Sequence, residues 1–318
     1  MKKQLLSFML TLCLVMSLVP ATALAEENGQ ESKTVITAVD ELLQFAKDVN
    51  AGKYDNRTNA VVSLEADLDL TGVEWTPIGC TNDEGDVEHY FSGKFYGNGH
   101  SISNIDYASM YGKEDIGGLF GFLGGGAEIS GLTLKGNIDD AGEGYVFLGT
   151  LAGYTDGAKI SDCISEVVFN NHDKYINGTF GLCGYAENTV IEYCQNKGNI
   201  TITNDVSSFY VGGIAGMVMG TSEIRYCSNS GDIKSYAPQT GGIAGQISGT
   251  AKIINCCSTG KLTPLGKGIT DMGGIVGVVG TNSKDGSDNT VSHCYFGGEI
   301  DLTQYTATLP YKRFGAIA

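Results

Sequence analysis

The side chains in this chain that could carry chemistry are its acids, histidines and cysteines. Their spacing decides what chemistry is open to them. Paired carboxylates serve glycoside hydrolysis. Asp67 and Asp69 stand two apart on an expected strand and so share a face. Asp139, Asp140 and Glu143 gather in a loop, and Asp285 with Asp288 in the repeat 6 insertion, where calcium is conceivable. Each set reads more simply as solvated loop acids. Of the four histidines, His89, His100, His172 and His293, none has a second histidine at ligand spacing. His100 belongs to the Asn98-Gly99-His100 turn and reads as structural, and His293 is expected to point outward. No His-Glu-x-x-His, Gly-x-Ser-x-Gly, Cys-x-x-Cys or P-loop pattern occurs. No catalytic, cofactor-binding or metal-ligating residue is therefore assigned, and no cofactor is expected.

The cysteines point to a scaffold. Cys163, Cys194, Cys227, Cys256 and Cys294 each follow an apolar residue by three positions, as in Ile160-Ser161-Asp162-Cys163 and Ile191-Glu192-Tyr193-Cys194. Leu132 takes the same place one unit earlier. Such equivalence suits an interior column of small apolar side chains, expected as free thiols rather than disulfides. Cys80, Cys183 and Cys257 fall outside the column.

A second signal shares the period. Glycine motifs such as Gly117-Gly118-Leu119-Phe120-Gly121, Gly212-Gly213-Ile214-Ala215-Gly216 and Gly241-Gly242-Ile243-Ala244-Gly245 close at Gly121, Gly153, Gly184, Gly216, Gly245 and Gly277, in steps of 32, 31, 32, 29 and 32. Within each unit short apolar runs alternate with Gly, Asn, Asp and Ser, which is strand-and-turn patterning. Helical repeats would not tolerate this much glycine. A unit of this length makes one coil of a β-solenoid, and coils about 4.8 Å apart build a rod. The expected fold is all-β: a right-handed parallel β-helix of about six to seven coils with a short N-terminal α-helical cap. Thr150 and Cys183 break the strict motif, so the second and third units should be less regular. Thr281 to Asn289 reads as a surface insertion.

Three parts are expected: a signal peptide at 1–25, a cap helix with first strands at 26–110, and repeats at 111–318 with the last incomplete. Lys2 and Lys3, an apolar run from Leu5 to Pro20 and the small residues Ala23-Leu24-Ala25 make the signal pattern. An amphipathic helix over Asp40 to Asn50 presents Val39, Leu42, Leu43, Ala46 and Val49 on one face, with Thr37 and Asp40 as a capping pair. Strand-like segments follow at Val61 to Leu64 and Phe91 to Ile105. The run Leu64-Glu65-Ala66-Asp67-Leu68-Asp69-Leu70, then Trp75-Thr76-Pro77-Ile78-Gly79, then Phe91-Ser92-Gly93-Lys94-Phe95-Tyr96-Gly97-Asn98-Gly99-His100-Ser101-Ile102, resembles the opening of GLUG-motif β-helix proteins. The glycine motifs resemble the GLUG repeat itself. The resemblance covers roughly residues 36–318. It implies a β-helix in a large secreted or wall-attached protein of adhesin-like type, and some relatives are parts of IgA1-protease-type zinc peptidases.

The formal net charge is −16, and near −18 without Lys2 and Lys3. A polyanion is repelled by nucleic acid and by anionic membrane surfaces. The expectation is a secreted or cell-surface repeat module that is not an enzyme and presents its faces to host or cell-wall glycans or proteins. It should bind no nucleic acid, insert in no membrane after signal cleavage, and be followed by further C-terminal domains in a longer protein. The alternatives are a carbohydrate-active β-helix enzyme, or a non-catalytic fragment of a larger secreted peptidase.

Overall fold

The computed structural model describes residues 33–81, 87–106, 116–139, 147–171, 179–203, 210–265, 270–280, 288–305 and 312–317. The expected signal segment, His172, Asp140, Glu143, Asp285 and most of the Thr281 to Asn289 insertion lie outside these residues.

The chain is a parallel β-solenoid of about seven turns, with one α-helix among the described residues, near the N-terminus. Three parallel sheets form its walls. The first is built from strands such as Lys33–Ile36, Val61–Leu64, Lys94–Tyr96 and Ile-centred triplets to Thr290–Ser292. Its pairing crosses residue 110 without a break, because Lys94–Tyr96 pairs directly with Glu128–Ser130. The inward residue of each triplet forms one column: Val62, Phe95, Ile129, Ile160, Ile191, Ile224, Ile253, Val291. β-Branched side chains dominate because they pack well on a pleated surface.

A sharp corner follows. The residue before each column cysteine adopts the left-handed conformation: Asp162, Tyr193, Tyr226, Asn255 and His293 all have φ near +55° (values 54 to 56). Gly131 does the same before Leu132. The N–H groups of Gly131, Asp162, Tyr193, Tyr226 and Asn255 donate to the next coil, as Tyr193 to the Arg225 carbonyl at 3.2 Å and Tyr226 to the Ile254 carbonyl at 3.1 Å. The corner turns the next residue inward. Leu132, Cys163, Cys194, Cys227 and Cys256 are accordingly buried.

The second sheet carries a mixed inner column: Ile102, Leu134, Ser165, Asn196, Asn229, Ser258, Phe296. Its buried amides satisfy one another, since Asn196 Nδ2 donates to Asn229 Oδ1 at 2.7 Å. The third sheet holds the glycine motifs, with Phe120, Ala152, Cys183, Ala215, Ala244 and Val276 in line. A Cβ on Gly241 would run into the Ala244 carbonyl, and one on Gly213 into the Asn229 side chain. The pair Gly-Gly thus lets the chain fold tightly and leaves room for the buried amides. The register shift between Gly149 and Ala152 marks the irregular second motif, where buried Thr150 donates to Ser165 Oγ at 3.1 Å.

Helix α1 (Val39–Asn50) covers the first coils. It buries Leu42, Phe45, Ala46 and Val49, and Phe45 meets Tyr54, Phe91 and Phe95 in ring contacts at 5.1, 5.4 and 6.1 Å. Its cap differs from the expected one. Ala38 is the N-cap, and Glu41 rather than Asp40 accepts from the Thr37 N–H at 2.6 Å, the Thr37 hydroxyl at 2.9 Å and the Ala38 N–H at 3.1 Å. Glutamate has the reach to fold back one turn, and aspartate does not. No helix among the described residues is long and apolar enough to cross a membrane.

Candidate functional site

The outer face of the third sheet carries the densest set of contact-making side chains. Strands Phe120–Leu123, Phe147–Asp156, Thr179–Glu187, Ala215–Met219, Ala244–Ile247 and Val276–Val279 carry the closing glycines, and the residue after each alternates to the outside. The resulting column is Phe122, Tyr154, Tyr185, Met217, Gln246, Val278. Phe122 and Tyr154 stack at 5.1 Å, and Phe147 lies 5.6 Å from Tyr154 and 5.0 Å from Tyr185. Acids border the rings. The Tyr154 hydroxyl donates to Glu187 Oε2 at 2.7 Å, and Asn188 holds Asp156 at 3.1 Å. Burial, then the Glu187 carboxylate, pushes the Tyr154 phenol well above its usual range, and burial also raises that of Tyr185. Both phenols therefore remain neutral donors. Aromatic faces beside carboxylates can take the carbon framework of a peptide or sugar and its polar hydrogens together.

A hairpin (Cys80–Thr81 with Val87–His89) stands at the N-terminal end of this face. The turn after α1 brings Asp55 to it. One Asp55 oxygen lies 2.9 Å from His89 Nδ1, and the other accepts the Tyr90 N–H at 3.0 Å. The Tyr90 hydroxyl donates to Asn56 at 2.9 Å, and its ring meets Phe122 edge-on at 5.8 Å. Cys80 pairs with His89 across the antiparallel hairpin, which shifts register between Cys80 and Thr81.

A second feature runs along the corner between the first and second sheets. Tyr193 and Tyr226 are 50% and 48% exposed and stack in parallel at 5.1 Å. Beside them Glu192 binds Lys159 at 2.8 Å and Arg225 at 2.6 Å, and Arg225 also reaches Glu223 at 2.8 Å. The Lys159 and Arg225 cations hold the Glu192 carboxyl below its usual range.

The acids singled out in the sequence serve turns. Asp67 accepts the Ser101 N–H at 2.7 Å and lies 3.5 Å from His100, while Asp69 accepts from Thr71 and Asn104. Asp139 accepts from Asn170 at 2.9 Å and lines an open cleft of about 500 Å³ with Asn104 and Asp106. Asp288 and His293 are exposed. Among the described residues no three His, Cys, Asp or Glu side chains converge as a metal site. Cys163, Cys183, Cys194, Cys227, Cys256, Cys257 and Cys294 are free thiols. Burial pushes the Cys183 thiol up to about 12, and the Cys227 thiol beside it holds Cys256 up to about 12. Asp55 was not visible as a candidate, because it comes from a turn some thirty residues away. The aromatic column could have been read from the position after each closing glycine.

The GLUG motif matches residues 207–234. The fold is similar to that of a candidate immunoglobulin A1 protease from Bacteroides ovatus, at a TM-score of 0.62 and 18% identity over 89% of this chain and 83% of that one. It is also similar to part of an IgA1 protease, at a TM-score of 0.60 and 20% identity over 88% of this chain. The chain spans 21% of that second protein. No curated protein matches the sequence at a significant level. The expectation that the protein is not an enzyme is corrected here. Both proteins that share its fold carry names of IgA1 proteases.

Proposed function

We propose that this chain is the β-helix part of an extracellular, peptidase-related protein of IgA1-protease type, and that the aromatic face of its third sheet holds a polypeptide substrate. The fold likeness along nearly the whole chain, to two proteins named as such proteases, carries this reading. The signal-like N-terminus and the GLUG motif support an extracellular setting. The face itself offers rings that stack on apolar and planar groups, with Asp156 and Glu187 placed to take peptide N–H groups. An adhesin-like role for the same face would use the same contacts, so substrate handling is tested directly. The full chain is mixed with immunoglobulin A1. Binding is followed by surface plasmon resonance, and heavy-chain integrity by mass spectrometry. The expected result is binding that weakens at least tenfold in Tyr154→Ala/Tyr185→Ala. Absence of both binding and cleavage overturns the reading, as does binding that the double variant leaves unchanged.

A further inference from the structure

The corner column reads Gly131, Asp162, Tyr193, Tyr226, Asn255, His293, and all six sit in the left-handed region. Gly, Asp and Asn are at home there, whereas a bulky tyrosine is a true outlier. Two tyrosines in successive coils thus hold their places against backbone preference, a strain that persists only where the surroundings fix it. Here they do. The Tyr193 N–H donates to the Arg225 carbonyl at 3.2 Å. The residues just before the two tyrosines, Glu192 and Arg225, are partners in the parallel pair and are clamped by charge-assisted bonds of 2.8 and 2.6 Å. The two rings leave the corner side by side, 5° from parallel, with centroids 5.1 Å apart, and about half of each residue is exposed. Other tyrosines are placed differently. The hydroxyls of Tyr54, Tyr90 and Tyr154 are tied to Thr34, Asn56 and Glu187, and no such bond holds Tyr193 or Tyr226 among the described residues. Tyr154 and Tyr185 also touch, but they are half-buried and tilted by 46°. Tyr295 is 64% exposed and meets no tyrosine ring among the described residues.

We propose that Tyr193 and Tyr226 form an oxidative cross-linking site, joined as dityrosine by a haem peroxidase and hydrogen peroxide, and that the bond staples two adjacent coils. Each phenol gives up one electron and one proton, and the peroxide takes up both pairs and becomes two waters. The two phenoxyl radicals couple through the ring carbons ortho to their hydroxyls, which forms one C–C bond. Each coupled carbon then passes its hydrogen to its own ring oxygen, restoring both phenols. Parallel stacking favours this step, because the second ring is already in place when the first radical forms. Exposure admits the oxidant and leaves the rings room to turn into the bond. The inference is independent of the protease reading, since it needs only the corner column.

The test uses the full, folded chain at low concentration with a haem peroxidase and equimolar hydrogen peroxide. Dityrosine fluorescence should appear without chain dimers, the intact mass should fall by two hydrogens, and peptide mapping should join Tyr193 to Tyr226. Tyr193→Phe and Tyr226→Phe keep the stacked rings and remove one phenol, so each should lower the fluorescence at least tenfold. Tyr295→Phe should leave it unchanged. The urea-unfolded chain, oxidised in the same way, should give at least tenfold less of this link. The bridged chain should also unfold at a higher urea concentration than oxidised Tyr226→Phe. A link mapped to Tyr154 and Tyr185, coupling chiefly between chains, or an equal yield in Tyr226→Phe or in the unfolded chain overturns the proposal. An equal unfolding midpoint overturns the staple.

Discussion

At the residue scale, the left-handed corners and the Glu192 cluster make separable demands. Asn255 has φ of 54°, where an L-residue with a plain Cβ costs about 1 kcal/mol or more. Asparagine tolerates this region and glycine is at ease in it. Asn255→Ala should therefore destabilise by about 1 kcal/mol, and Asn255→Gly by a few tenths at most, in urea unfolding. Asp162 and Asn255 follow that preference, whereas Tyr193 and Tyr226 do not. Stacking between the two rings offsets part of the strain, by about 0.5–1.5 kcal/mol. Glu192 sets an acid limit. Its folded pKa is depressed, so the stability it contributes is present above its ordinary value of 4.5 and is lost as pH falls through the lower folded value. Thermal unfolding of Glu192→Gln followed from pH 7 to 3 should lose less stability below about pH 4.5 than the parent protein does. An equally steep acid limb in both would assign the loss to other carboxylates.

At the element scale, what is equivalent in space was equivalent in sequence. The Ile-x-x-Cys spacing became two adjoining columns, with the isoleucine on the first sheet and the cysteine just past the corner, because both recur once per coil. The glycine motif became the third sheet for the same reason. Ile224→Ala, in the middle of the isoleucine column and fully buried, should cost roughly 2–5 kcal/mol. Gly241→Ala should be at least as damaging as a typical core truncation, since its Cβ meets a backbone carbonyl that cannot move aside. Circular dichroism melts of the two variants check both. What the sequence hid were features that occur once. The His89–Asp55 contact joins a turn to a hairpin that no other coil has among the described residues, so periodicity carries no trace of it. Phe45 was left off the expected helix face, yet Leu42, Phe45, Ala46 and Val49 keep the i, i+3, i+4, i+7 spacing of one stripe, while Val39 and Leu43 at its margin are only partly buried. The polar inner column of Ser165, Asn196, Asn229 and Ser258 was hidden because such residues usually signal turns. Here they satisfy one another across coils.

At the scale of the whole molecule, the two ends of the described stack are finished differently. The N-terminal end is closed by α1 and a packed set of rings, with Phe45, Trp75, Phe91 and Phe95 all at 2% exposure or less. Toward the other end the columns open. Ile253 is fully buried and Val291 is not, Cys256 is 1% exposed and Cys294 more so, and Phe296, Ile300 and Phe314 are only partly covered. In a solenoid each coil is held only by its neighbours, so stability is a sum of local and nearest-neighbour contributions rather than one undivided quantity. Opening should then spread from the less covered end. Hydrogen exchange read by mass spectrometry should give the slowest amides in the first-sheet strands between Lys159 and Ile254, and faster exchange in Thr290–Ser292 and Tyr295–Phe296. Val291→Ala should speed exchange only in these last strands, whereas Ile224→Ala should loosen the coils on both sides of it. Uniform protection along the array, shifted equally by both variants, would mean that the coils open as a single unit. The aromatic face and the Cys80 hairpin lie toward the closed end, so both should keep their geometry while the far coils fray.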